Sequence, residues 1–261
     1  MLSIIVITKN EAHQLARCLG SVAAIADEMV VVDSASSDGT PELARRLGAR
    51  VLETDDWPGF GVQKQRALEA ARGDWALALD ADEWLSPALA EAVAQAVRRP
   101  HRDGDAAGYE LDRMSAFCGQ WMRGGDWYPD PGLRLVRRDR ARFTPDLVHE
   151  HLEVQGAVAR LPGLLLHESI PSLEAAIDKM NRYSSGRAKD LVGRGRRGSL
   201  ASALCHGAWT FVRTYLVKRG FVDGRLGLAL ALLTAETTYY RYLKMWLDET
   251  RGRPLAPPPE P

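Results

Sequence analysis

The residues best suited to chemistry lie in the segment ALALDADEW, where Asp80, Asp82 and Glu83 follow an apolar run. In an extended chain Asp80 and Asp82 share a face, and a turn at the strand end lets both approach one divalent cation or its bound waters. Mg2+ or Mn2+ held there would bridge oxygens of a diphosphate and neutralise charge as a leaving group departs. A solvated strand-to-helix turn is the alternative. No glycine-rich phosphate cradle competes, since GxxxxGK before Ser or Thr and GxGxxG after the first strand are both missing. That argues against a nucleoside triphosphatase and against a dinucleotide oxidoreductase. The first loop is TKNEAH instead, whose Lys9 and Asn10 suit a nucleotide edge or phosphate. Asp33, which closes EMVVVD, suits acceptance from a base or ribose.

The elements that must position these side chains alternate. A β-branched strand from Ser3 to Ile7 leads to a helix through Leu15 and Leu19 that Asn10 can cap. EMVVVD is the second strand; TPELARRLG follows as a helix with Thr40 as cap, Pro41 at the first helical position and Gly48 as stop. Arg50 to Thr54 is a third strand. After the loop WPGFG, VQKQRALEAARG forms a helix ended by Gly73, WALALD is a fourth strand, and Ser86 and Pro87 open a helix to about Val97. Nearly all-apolar strands alternating with helices mean a parallel sheet covered on both faces. Ligands bind beyond the carboxyl ends of such strands, where these polar residues converge. Residues 101–170 read as an irregular, partly antiparallel section with short extended pieces such as GLRLVRR. From Ser172 the pattern is helical, with two longer apolar segments separated by KRGFVDG, and the tail RGRPLAPPPEP is proline-rich.

The chain has 261 residues, 34 Lys and Arg, 34 Asp and Glu, and 46% apolar residues, which fits an ordered globular protein. The zero net charge gives no general attraction to nucleic acid and hides a segregated distribution. Residues 1–100 carry 15 acidic and 10 basic side chains, whereas residues 179–225 carry 11 basic and 2 acidic. Cys18, Cys118 and Cys205 lack metal-ligand spacing and suit buried thiols in a reducing compartment. The apolar run Leu2 to Ile7 is too short for a signal-peptide core, so a cytoplasmic location is expected.

The segments SIIVITKNE, EMVVVDSASSDGT, DDWPGFGVQKQRAL, GDWALALDADE, GGDWYPDPGLRLVRR, VHEHLEV, LLHES and KMNRYS together resemble family 2 glycosyltransferases. The subclass they look like is the bacterial glucosyltransferases acting on heptose of the lipopolysaccharide inner core. The resemblance implies an α/β fold of the GT-A type: a mixed, mostly parallel sheet flanked by helices, with a helical carboxyl-terminal appendage. It implies a catalytic domain over residues 1–170, an appendage over 171–250 and a flexible tail over 251–261. It also implies a nucleotide-sugar donor, UDP-glucose, and Mg2+ or Mn2+ as cofactor. On that basis Asp33 contacts the nucleobase, Asp80 lies near ribose or diphosphate, and Asp82 is the principal metal ligand. Thr8, Asn10 and Glu11 match the first-loop signature, and Lys64 is placed to reach phosphate, with a solvated helix face as the alternative for Lys64 and for Arg66.

An acceptor hydroxyl needs a base. Glu150 of VHE is favoured, followed by His149 and by Asp130 of WYPD; His-Glu stands where many relatives have Glu-Asp. A direct displacement at the anomeric carbon would invert configuration. The resemblance to GT-A enzymes, some of which complete the metal site with a later histidine, makes His167, at a polar break after LPGLLL, a third candidate metal ligand beside Asp82 and Asp80; a histidine bonded to backbone is the more ordinary alternative. Trp121, Trp127 and Tyr128 suit an acceptor-sugar platform or ordinary packing. Arg134 suits the donor diphosphate or an anionic acceptor.

Residues 200–217 are interrupted by His206 and Arg213, and the nonpolar run 226–235 is only 10 residues long, so neither resembles a span of about 20 apolar residues. Aromatic residues mixed with Arg213, Lys218, Arg219, Arg225, Arg241 and Lys244 suit helices lying against an anionic membrane surface. Packing on the catalytic domain or in a homodimer is the alternative. A peripheral place on the inner face of the cytoplasmic membrane would bring a lipopolysaccharide core or related glycolipid within reach. Two other functional classes share some of these features: a nucleotidyltransferase, and a glycan-binding scaffold without turnover.

Overall fold

The structure, a computed structural model, describes residues 1–100, 102, 104–144 and 151–248. It divides into two compact units: Met1–Ser115 with Pro129–Ser169, and Ala116–Tyr128 with the chain from Ile170 onward.

The first unit begins with strands β1 (Leu2–Thr8), β2 (Glu28–Ser34), β3 (Arg50–Thr54) and β4 (Trp75–Asp80), alternating with helices α1 (Ala12–Val22), α2 (Thr40–Arg46) and α3 (Phe60–Ala70). α4 (Pro87–Arg98) follows the short strand β5 (Glu83–Leu85). β1, β2, β3 and β4 pair in parallel. The two-residue period of a strand sends alternate side chains to two covered faces, which explains the apolar runs of β1, β2 and β4; β3, RVLET, is only partly buried. Leu2, Ile4 and Val6 of β1 face the cluster that holds Leu15 and Leu19 of α1 and Leu89 and Val93 of α4. Ile5 and Ile7 face the opposite cluster, with Ala67 and Leu68 of α3.

The remaining strands are β6 (Gly108–Phe117), β7 (Gln120–Trp121), β8 (Asp130–Arg137), β9 (Ala141–Phe143), β10 (Leu152–Val154) and β11 (Val158–Ile170). Among the described residues the main sheet has nine strands in the order β3-β2-β1-β4-β8-β6-β11-β5, with β7 on β6. β8 is antiparallel to β4 and β6, and β5 is antiparallel to β11. Residues 101–170 are thus more regular than their punctuation suggests. Half-exposed strands such as β11 mix polar and apolar residues, so they lack the unbroken apolar run that marks β1 or β4.

Three local expectations are corrected. Asn10 does not cap α1: it adopts φ 59°, and Glu11 stands at the N-cap without a capping hydrogen bond from its own side chain. Thr40 is the first helical residue after Gly39, which has φ 85°. α3 ends at Ala70, and Gly73 serves another purpose: a Cβ there would lie 2.8 Å from the Met1 carbonyl oxygen and the Ser3 nitrogen. The glycine permits close approach to β1.

In the second unit Ser172 caps α5 (Leu173–Gly193), and a reciprocal Ser199–Ser202 box caps α6 (Leu200–Val212). A π-helical turn over Arg213–Val217 and a 3-10 turn over Gly220–Asp223 lead into α7 (Gly224–Asp248). The buried Asp223 carboxylate accepts from the backbone nitrogens of Arg123 and Gly124. Trp209, Leu216, Val217, Phe221 and Val222 remain exposed, Val217 by 60%. Among the described residues no helix is long and apolar enough to cross a membrane.

Candidate active site

Strand register gathers the first-unit candidates at one edge of the sheet. Thr8 lies opposite Asp33, and Ile7 lies opposite Asp80, so the carboxyl ends of β1, β2 and β4 are neighbours. The Asp33 carboxylate is fully buried and accepts from the Thr8 hydroxyl at 2.8 Å, the Ser36 hydroxyl at 2.6 Å and the Ser36 backbone nitrogen at 2.9 Å. A carboxylate has roughly four acceptor positions, so one remains for an added donor.

Two loops hold each other at this edge. The Asn10 amide oxygen accepts from the Ser37 backbone nitrogen at 2.9 Å, and the Asn10 nitrogen donates to the Ser36 hydroxyl. Asp38 accepts from the Ala12 nitrogen, and the Thr40 hydroxyl accepts from the Glu11 nitrogen. The neighbouring loop therefore satisfies the Ala12 nitrogen, an orphan donor of α1, together with the nitrogen of its N-cap residue Glu11. Burial, with Asp82, Asp38 and Asp80 nearby, pushes the Glu11 carboxyl up to about 7.

Asp80 sits between cations. Lys64 Nζ is 2.8 Å from one of its oxygens and Arg134 Nη2 is 3.5 Å from the other. Burial alone would raise its pKa; Lys64 and Arg134 overcome that and hold the carboxyl well below the usual range. The same Arg134 nitrogen lies 2.7 Å from Glu83, whose second oxygen accepts from the Asp80 backbone nitrogen. Glu83 is fully buried, and burial keeps its carboxyl above the usual value despite Arg134. Arg113 donates through two nitrogens to Asp130, at 2.9 and 2.7 Å. Lys64, Asp80, Arg113, Asp130, Arg134 and His151 line a cavity of about 300 Å³.

Asp82 and His167 meet across the sheet. His167 Nε2 is 3.1 Å from the Asp82 carboxylate, and its Nδ1 is 2.9 Å from the Ser115 hydroxyl. His167 lies within β11, opposite Glu83 of β5, and not at a break in the chain.

The other candidates fall elsewhere. Glu150 and His149 lie outside the described residues. Arg66 is committed to Asp56, with contacts of 2.6 and 2.8 Å. Trp121, Trp127 and Tyr128 belong to the second unit. The Trp127 ring packs edge-on to Phe117 at 6.3 Å in that unit's core, whereas Trp121 is exposed.

The model of the family described as "Glycosyl transferase family 2" matches residues 3–141. This chain belongs to that family. An uncharacterized glycosyltransferase from Rickettsia typhi is 31% identical over 254 residues, covering 94% of this chain and 86% of the relative. The lipopolysaccharide core biosynthesis glycosyltransferase LpsC from Rhizobium meliloti is 30% identical over 254 residues, covering 92% and 93%. Among solved structures, the mannosyltransferase PcManGT from Pyrobaculum calidifontis, in complex with GDP-Man and Mn2+, is 18% identical with a TM-score of 0.49, covering 91% and 73%. Family membership and the mixed sheet flanked by helices place the first unit in the GT-A class.

Family 2 glycosyltransferases of this class imply a divalent cation. The described residues contain no cluster of three or more His, Cys, Asp or Glu arranged to hold one. Asp82 and His167 nevertheless fit the sparse protein donor set that Mg2+ takes when substrate phosphates and water complete its shell. The Ser115 hydroxyl can donate to or accept from Nδ1, so it supports either tautomer of His167.

Arg113 and Ser115 are the neighbours that sequence reasoning missed, and Glu83 stands out in the sequence without a role. Glu83 is adjacent to the motif, but nothing in DADE says that its third carboxylate turns inward. Arg113 and Ser115 stand at alternate positions of β6, a spacing that puts them on one face and was the available signal.

Proposed function

We propose that this glycosyltransferase transfers a hexose, from UDP-glucose, to a lipopolysaccharide core or related membrane glycan, with inversion at the anomeric carbon. The observation that carries the reading is the gathering of Asp33, Asp80 and Asp82 at the carboxyl edge of a parallel sheet beside Lys64 and Arg134. Asp33 accepts from the nucleobase through its remaining acceptor position, with Thr8, Asn10 and Glu11 shaping the pocket around the nucleotide. Asp80 contacts ribose or diphosphate. Lys64 and Arg134, already held in the crevice by carboxylates, turn part of their charge to the donor phosphates. Asp82, with His167 and Asp80 beside it, would hold a divalent cation, which would supply charge neutralisation for the departing nucleoside diphosphate.

Glu150 takes the proton of the acceptor hydroxyl as that oxygen bonds the anomeric carbon and the bond from carbon to diphosphate breaks. His149 is the next candidate. Asp130 is third, since Arg113 occupies its carboxylate. Trp121 offers an exposed ring to acceptor sugar. Residues 1–170 are assigned to catalysis and residues 171–250 to a helical appendage that associates with a membrane or a partner.

The acceptor assignment draws on the core-biosynthesis relative and on the second unit's surface. Leu216, Val217, Phe221 and Val222 are exposed beside Arg219 and Arg225, a combination suited to the interface of an anionic bilayer. Peripheral association with the inner face of the cytoplasmic membrane follows. The test is a screen of purified protein crossing several nucleotide-sugars with intact and truncated core glycolipids, with mass detection of product. A hexose added to core glycolipid supports the reading; exclusive transfer to a soluble protein or polysaccharide defeats it.

A further inference from the structure

The second unit holds a cavity of about 210 Å³ between α5 and α7, closed by Phe117 and Trp127. Met180, Leu230 and Leu233 extend its apolar wall, and Thr234, Thr237 and Thr238 complete it. The three threonine hydroxyls donate to carbonyls one turn back in α7, so they do not call for a polar ligand.

Charge at this cavity has one sign. Lys179 and Arg241 line it, and no Asp or Glu does among the described residues. Arg241 Nε is buried without a hydrogen-bond partner among the described residues. A buried guanidinium nitrogen left unpaired is costly, because water has been removed and nothing replaces it. Burial draws this guanidinium below its ordinary value, and the like charge of Arg187 adds to the effect. The Lys179 ammonium stands 6.0 Å from the Tyr183 ring, at the same cavity.

We propose that this cavity binds an anionic phospholipid, one acyl chain against Trp127, Phe117, Met180 and Leu233 and the phosphate on Arg241, with Lys179 adding charge. An aliphatic chain asks nothing of a wall whose threonine hydroxyls are already bonded, and a phosphate supplies the acceptor that the Arg241 Nε lacks. A peptide would bring main-chain polar groups that this wall cannot satisfy. The assignment draws on the membrane reading only for the source of the ligand.

The experiment titrates the full chain with dihexanoyl phosphatidic acid below its micellar concentration, following tryptophan fluorescence and calorimetry. Parallel arms use dihexanoyl phosphatidylcholine and inorganic phosphate. Saturable binding of the phosphatidic acid is expected, with the other two at least about tenfold weaker. Arg241→Met should weaken it by about tenfold or more, the scale of one charge-assisted contact, with Arg241→Lys in between. Leu233→Trp, which fills the cavity, should weaken it while leaving Arg241 in place. Circular dichroism confirms folding of each variant, and nucleoside diphosphate binding in the same samples reports the first unit. That second readout separates failure here from failure of the glycosyltransferase reading. Equal affinity for inorganic phosphate, unchanged binding in either Arg241→Met or Leu233→Trp, or no saturable binding by wild type would overturn the proposal.

Discussion

Removing the Glu83 carboxylate should do more to the fold than removing any carboxylate that the sequence marks as catalytic. Its oxygen lies 2.7 Å from Arg134 and it is fully buried, so Glu83→Ala leaves a buried guanidinium short of its partner. A loss of about 3 to 5 kcal/mol is expected in denaturant unfolding. Asp82→Asn, on a partly exposed carboxylate, should spare stability and lower transfer by at least about tenfold at saturating donor and cation. Unchanged transfer in that variant would remove Asp82 from the cation site. Glu11 gives a pH signature. Its folded value of about 7 exceeds the ordinary 4.5, so between those values the folded chain keeps a proton that the unfolded chain has released. Stability therefore falls as pH rises through that window. Unfolding of wild type and Glu11→Gln at pH 5, 6 and 7.5 should show the slope reduced in the variant; parallel slopes would contradict the assignment. Asp80 and Asp82 were legible because they end an apolar strand. Glu83 was visible beside them, but its burial was not, because that depends on Arg134, which lies far along the chain.

At the scale of elements, legibility followed periodicity. β1, β2 and β4 are buried on both faces over most of their length, and their apolar runs mark them, whereas β3, RVLET, is only partly buried. β6 and β11 carry polar residues at many positions, and their pairing across long separations is what makes them strands. Helix starts were read where a serine precedes a proline or an apolar stripe, as at Ser86, whose hydroxyl accepts from the Leu89 nitrogen. At the start of α1 the Ala12 nitrogen is instead met by Asp38 of a neighbouring loop, which no local pattern contains; at Thr40 the nitrogen donates to Asp38, two residues upstream. The close packing of α7 on the preceding turn offers a test of its own. A Cβ on Gly227 would lie 2.0 Å from the Gly220 carbonyl oxygen, so Gly227→Ala must displace backbone. A cost of roughly 1 to 3 kcal/mol in thermal or denaturant unfolding is expected, and a neutral substitution would mean that the turn yields freely.

Across the whole molecule the even total of charges conceals a segregated distribution: acidic side chains predominate over residues 1–100 and basic ones over residues 179–225. If the helical part meets an anionic bilayer, Leu216→Asp combined with Val217→Asp should reduce sedimentation with phosphatidylglycerol vesicles, and high salt should weaken binding of the wild type. Vesicle binding insensitive to both would place the apolar face against protein instead. The central claim concerns the crevice, where Asp33, Asp80 and Asp82 converge and where a nucleotidyltransferase would also need a nucleotide and a cation. The two chemistries differ in what leaves. The decisive measurement is the nucleotide balance of a single reaction containing protein, divalent cation, UDP-glucose and core glycolipid, read by mass spectrometry. One UDP released for each hexose added to glycolipid is the expected result; pyrophosphate formed from a nucleoside triphosphate and sugar phosphate, with no glycolipid product, would contradict it.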